Sequence, residues 1–214
     1  MLVTHAFRTS TPPQFNGDLR HWRSAELVAF AGRPLGGHPR TARAYTLWDE
    51  ENLYIAFEVE SSKLQARSQQ GDGELWWDDG IEFLIDPNRD RTEEFLPDDF
   101  SYHINILNLV YDDRGTPDGI ADPEWHGVAR HAVKIVDDYN YIVEIAVPWV
   151  EVGLAPRAGA TSLGIDFCVN GRDPDTGEYD YFDWCGLTVF HDPSGFGELR
   201  LLGRRSADDE RERS

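Results

Sequence analysis

The chain has 214 residues, 40% of them hydrophobic and 28% charged, with 39 acidic against 20 basic side chains and a formal charge of −19. A field that negative repels phosphates, which argues against nucleic acid and anionic membrane surfaces as partners and favours neutral ligands and divalent cations. No apolar run approaches the ~20 residues of a membrane-spanning helix.

The N-terminal stretch MLVTHAFRTSTPPQF has no basic segment followed by an apolar one. No signal peptide is expected, so the chain reads as cytoplasmic or as the mature form of a secreted protein. Arg20–Phe30 is expected to make a short helix, and Arg43–Trp48 a strand. In Asn52–Glu60, Leu53, Ile55, Phe57 and Val59 alternate with Tyr54, Ala56, Glu58 and Glu60, the period of a strand. Ile81, Phe83 and Ile85 alternate with Glu82, Leu84 and Asp86, and Tyr102, Ile104 and Ile106 with His103, Asn105 and Leu107. Further strands are expected at 128–136, 141–147, 163–170, 179–184 and 198–202. A single helical turn is expected at Pro148–Gly153, with Pro opening and Gly closing it.

Asp-rich turns separate these elements, at 49–52, 86–90, 112–115, 137–140, 173–177 and 192–195. Many short strands with polar turns and no βαβ rhythm predict an all-β fold. The expected form is a two-sheet antiparallel β-sandwich, jelly-roll or immunoglobulin-like, with one or two short helices. One domain is expected over residues 1–203. The sequence RRSADDERERS, residues 204–214, holds four Arg and four acids and reads as a disordered charged tail.

Trp76 and Trp77 stand directly before Asp78 and Asp79 at the start of a strand. In an extended chain neighbouring side chains point to opposite sides, so one indole is expected in the core and the other against a ligand. An indole among polar groups suits a sugar ring, whose C–H face stacks while carboxylates and amides take the hydroxyls. Glu82, His103 and Asn105 share the phase opposite to the packing residues, which predicts a polar patch on one sheet face.

Asp86-x-Asn88-x-Asp90 and Asp173-x-Asp175 place oxygen ligands at alternate positions, the spacing of a structural Ca²⁺ clip, although neither is an EF-hand. The seven histidines show no metal-site spacing and CxxC is absent. Cys168 and Cys185 are either two small buried side chains or one disulfide. An alternative to binding is a glycan-acting hydrolase or lyase using Asp78, Asp79, Glu82 and His103 as acid–base groups. Met/His haem ligation lacks a donor, because Met1 is the only methionine.

Several stretches together resemble the carbohydrate-binding module family 9-like domains, relatives of the DOMON-type β-sandwiches. These are Asn16–Leu19 with Trp22, Thr46–Phe57, Trp76–Asp86, Tyr102–Asn108, Tyr141–Trp149 and Phe190–Arg200. The resemblance implies a jelly-roll-like sandwich that binds a terminal sugar or short oligosaccharide without catalysis, clamped between two tryptophans and stiffened by calcium. It assigns one side of the clamp to Trp76, with Glu82 as polar partner, and the other to Trp184. Asn170, Arg172 and Asp173 fall in a polar loop near the ligand, and His103 at a strand position where a basic hydrogen-bonding residue is expected. A separate glycoside-active enzyme is the implied partner.

Overall fold

The alternating stretches become strands in the computed structural model, which describes residues 1–68, 70–71 and 73–205. In chain order they are β1 (Val3–Arg8), β2 (Glu26–Leu35), β3 (His38–Trp48), β4 (Asn52–Glu60), β5 (Gly80–Asp86), β6 (Phe100–Asn105) and β7 (Val110–Gly115). They continue with β8 (Ala121–Asp122), β9 (Arg130–Ile135), β10 (Asn140–Pro148), β11 (Ser162–Arg172), β12 (Tyr179–Asp183) and β13 (Gly197–Leu202).

Hydrogen bonding runs in one path, β8-β7-β6-β5-β11-β13-β1-β3-β4-β10-β9, with β12 beside β11 and β2 beside β3. The path folds over on itself to make a β-sandwich. All its pairings are antiparallel except those of β1, which lies parallel to both β13 and β3 and so joins the two layers. Between the layers Leu53, Ile55, Phe57 and Val59 of β4 meet Ile81, Phe83 and Ile85 of β5 and Phe167 of β11 in one apolar core. The Phe57 and Phe167 rings cross it edge to face at 5.7 Å. Tyr141 of β10, wholly buried, donates its hydroxyl to the Gly80 carbonyl of β5 at 3.0 Å.

A second cluster covers the outer face of β3, β4 and β10, where Trp22 packs with Leu47, Tyr54 and Ala146. Buried Glu144 accepts from the Gly17 amide at 2.6 Å and from Trp22 Nε1 at 2.9 Å, which fastens the segment before β2 onto that face.

Three expectations are corrected. Only Leu19–Trp22 of the expected 20–30 helix coils, as a 3₁₀ turn capped by Asp18. From Glu26 the chain pairs with β3, because Val28 and Phe30 then reach the core, and sheet packing overrides local propensity. Pro148–Gly153 forms hydrogen-bonded turns in place of a helical turn, with Gly153 at φ +68°. The stretch 112–115, expected to be a turn, lies in β7, paired to β6 from Ile104↔Val110 to Phe100↔Arg114.

Cys168 is buried, Cys185 is half-buried, and both are free thiols. The expected tail lies outside the described residues from 206 onward. Just before it, Arg205 donates to the carbonyls of Ser24 and Ala25 at 3.2 and 3.0 Å. Among the described residues no helix is long and apolar enough to cross a membrane.

Candidate functional site

Glu82 and His103 lie opposite each other in the β5–β6 ladder, and Glu82 also faces Cys168 of β11 and His103 faces Tyr111 of β7. Because Ile81 and Ile104 occupy the core phase, these side chains stand on the outer face of the layer. Tyr111 and Asp113 share that face from β7, and Asn170 from β11. The 3₁₀ turn Leu75–Trp77 and the segment after β12 rise around it. Together they enclose a cavity of about 410 Å³ lined by Trp76, Glu82, His103, Tyr111, Asp113, Asn170, Tyr179, Val189, Phe190 and His191. A larger, shallower depression lies elsewhere, around Trp149 and Pro156, away from this polar face.

Aromatic rings build the walls. Trp76 meets Tyr111 edge to face at 5.7 Å, and Phe190 rests on Tyr181 at 4.6 Å, itself next to Tyr179. Buried polar atoms form the floor. His103 Nε2, Asn170 Nδ2, Asp113 Oδ1 and His191 Nε2 all lack a hydrogen-bond partner among the described residues. Asn170 Oδ1 is occupied, accepting from the Tyr179 hydroxyl at 2.7 Å.

The electrostatics follow from the dry surroundings. Burial pushes the Glu82 carboxyl up to about 8, and the charge of Asp113 adds to this. Glu82 therefore carries its proton at neutral pH. Burial drives His103 down to about 4, against opposing pulls from Asp78 and the Leu75 carbonyl, so it is neutral 3.8 Å from Glu82. Asp113 is raised and His191 lowered, each chiefly by desolvation, across a 3.7 Å separation. At neutral pH Glu82 and His103 are thus both uncharged, and the floor offers hydrogen-bond donors as well as acceptors.

The other expected site residues are placed differently. Neither tryptophan of the pair enters the core. The turn buries Leu75 completely, sets Trp76 half-buried in the cavity wall and leaves Trp77 43% exposed. Trp77 contacts Tyr179 at 4.9 Å and lies under the Arg172 guanidinium at 6.0 Å, outside the cavity. Trp184 does not face Trp76. It follows the phase of Phe182, packs on Phe167 at 5.7 Å and belongs to the core side. Asn105 is wholly buried and structural, its amide donating to Asp78 at 2.9 Å and its oxygen accepting from the amides of Leu107 and Leu109.

Asp78 and Asp79 serve the backbone. Asp78 accepts from the amides of Arg67 and Ser68, and Asp79 from the Gln65 amide and the Ser61 hydroxyl. Sequence reasoning missed Tyr111, Asp113, Tyr179, Val189, Phe190 and His191. The first two share the face of His103, Asp113 within the stretch 112–115 expected to be a turn and Tyr111 just before it.

Neither Asp-rich loop gathers a ready metal site. Among the described residues no group of three or more His, Cys, Asp or Glu side chains is placed to hold an ion. Asp86 spends both oxygens on the amides of Arg89 and Arg91, residues at φ 55° and 59°. Asn88 and Asp90 cap the same bend, the Asn88 oxygen accepting from the Asp90 amide at 2.9 Å. Asp173 closes the β11–β12 hairpin by accepting from the amides of Asp175 and Thr176. One feature beside the first loop does suit a cation. Asp99 Oδ1 is buried without a partner, and burial pushes its carboxyl up to about 7, with Asp86, Asp98 and Asp90 adding to the effect.

A sequence profile described as "Carbohydrate family 9 binding domain-like" matches residues 20–204. Exoglucanase XynX of Acetivibrio thermocellus is 28% identical over 187 residues, which cover 86% of this chain and 16% of that protein. A carbohydrate binding module family 9 from Caldicellulosiruptor kristjanssonii, solved in complex with cellotriose, superposes with a TM-score of 0.75 at 23% identity, covering 96% of each chain. The same source gives a structure in complex with glucose, at TM-score 0.74 and 21% identity, covering 95% of this chain and 98% of that one.

Proposed function

Because the chain belongs to the carbohydrate family 9 binding domain-like family, we propose that its cavity grips a terminal sugar or short oligosaccharide without transforming it. The observation that carries this reading is the floor of unpartnered polar atoms beneath aromatic walls. An orphaned buried donor or acceptor costs about 1–3 kcal/mol, and a ring bearing several hydroxyls satisfies a row of them at once. Trp76 and the rings of Tyr111, Tyr179 and Phe190 supply the apolar surface for its C–H faces. Glucose and cello-oligosaccharides are the first ligands to test, since the structural neighbours were solved with them.

The non-catalytic reading draws support from Asp78 and Asp79, whose oxygens are committed to holding the 61–68 segment. We further propose a polysaccharide-acting enzyme as partner, given the exoglucanase relative, and a structural Ca²⁺ near Asp86 and Asp99, on the strength of the unpartnered Asp99 oxygen. Titration calorimetry with glucose, cellobiose and cellotriose tests the main proposal. Binding by the wild type, lost in W76A with the thermal midpoint nearly unchanged, is the expected result. A collapse of the midpoint in W76A, or no heat with any saccharide, defeats it.

A further inference from the structure

Building on the saccharide reading, we propose that Trp77 and Arg172 form a second subsite at the cavity mouth that takes an acidic sugar ring, a uronate joined to the residue held inside.

The argument begins with charge. Around β12, one arginine lacks the carboxylate partner that its neighbours have among the described residues. The other arginines near β12 are matched. Arg40 donates to Asp180 at 2.7 Å, and Arg33 reaches Glu178 at 2.6 Å and Asp180 at 3.1 Å. The Arg172 guanidinium has neither an ion pair nor a hydrogen-bond acceptor among the described residues, and its Nε is buried without a partner. Its backbone is held firmly, the carbonyl accepting from Gln65 Nε2 at 3.2 Å. Its head group lies over the Trp77 ring, 6.0 Å from the centroid.

Trp77 supplies the second observation. It is the most exposed tryptophan of the pair at the site, at 43%, and its ring meets Tyr179 at 4.9 Å. Tyr179 is Arg172's cross-strand neighbour and also lines the cavity. Platform and cavity are therefore continuous, and a chain leaving the cavity past Tyr179 meets an indole face with a guanidinium over it. A flat stacking surface fits the C–H face of a second pyranose. Two parallel N–H donors of the guanidinium match a carboxylate and only partly match hydroxyls. The net charge of −19 opposes an anionic ligand at long range, but salt screens such repulsion beyond about 8 Å, so the contact charge decides.

The test is calorimetry with cellobiose and with two acidic disaccharides, carrying glucuronic acid in place of one or the other glucose, at low and high salt. One acidic disaccharide is expected to bind about tenfold more tightly than cellobiose, the order of one charge-assisted pair. Raising the salt shrinks that ratio, R172Q abolishes it, and R172K, which keeps the charge but loses the fork, retains part of it. Acidic sugars that bind no better than cellobiose, or a ratio that survives R172Q and R172K intact, overturn the subsite while leaving the cavity reading in place. Absence of binding to all three saccharides by the wild type overturns both.

Discussion

Glu82 gives the site a measurable signature in stability. Its carboxyl is displaced from an ordinary 4.5 to about 8, first by burial and then by Asp113. Between those values the native protein holds a proton that the unfolded chain has released. Folding stability therefore falls as pH rises from about 4.5 through 8. At about 1.4 kcal/mol per pH unit the full displacement is worth at most ~5 kcal/mol. The side chain keeps 12% exposure, and this residual solvent contact discounts the value, so about 2 kcal/mol is expected in practice. E82Q keeps the shape and removes the ionisation. Urea denaturation from pH 5 to 9 should show wild type and E82Q close together at pH 5, and E82Q about 2 kcal/mol more stable at pH 9. Asp79, pushed to about 7 by burial, tilts both curves alike and does not affect the difference. Parallel curves across the whole range would refute the buried, protonated carboxyl.

Trp184 packs on Phe167 and over Gly197, so W184A should cost about 2–3 kcal/mol in urea stability while saccharide affinity holds, and lost affinity at unchanged stability would restore it as a clamp. E144Q sets an amide donor against either the Gly17 amide or Trp22 Nε1, and a loss of about 2 kcal/mol in the denaturation midpoint is the expected reading. If Ca²⁺ binds near Asp99, millimolar calcium raises the thermal midpoint over EDTA in the wild type but not in D99N, and superimposable melts in the wild type would remove the ion from the account.

Strand phase was legible from the residues because it depends only on alternation. Glu82 and His103 fall on the outer face for the same reason that Ile81 and Ile104 fall on the inner one. What alternation does not encode is depth. Asn105 has the right phase, yet two backbone amides and Asp78 claim it. Trp184 sits one residue out of phase with Asp183, and that single step moves it from ligand face to core. The pair Trp76-Trp77 misled because a 3₁₀ turn, not a strand, carries it, so Leu75 took the interior position reserved for an indole. Asp113 escaped notice for the opposite reason, since a run of Asp, Arg and Gly composes like a turn but pairs as a strand between β6 and β8. Phe190 and His191 come from a loop whose closure over the cavity is a tertiary fact that local pattern does not carry.

The parallel register of β1 against β13 bears on how the domain takes load. Val3 sits beside Glu198 and Phe7 beside Leu202, so the two terminal strands run in the same direction. Tension applied through the two ends draws these strands past each other lengthwise. The evenly spaced bonds of a parallel ladder then share the force together instead of opening one after another, and rupture demands breaking them as a set. A domain pulled from both of its ends at once would yield last at that seam.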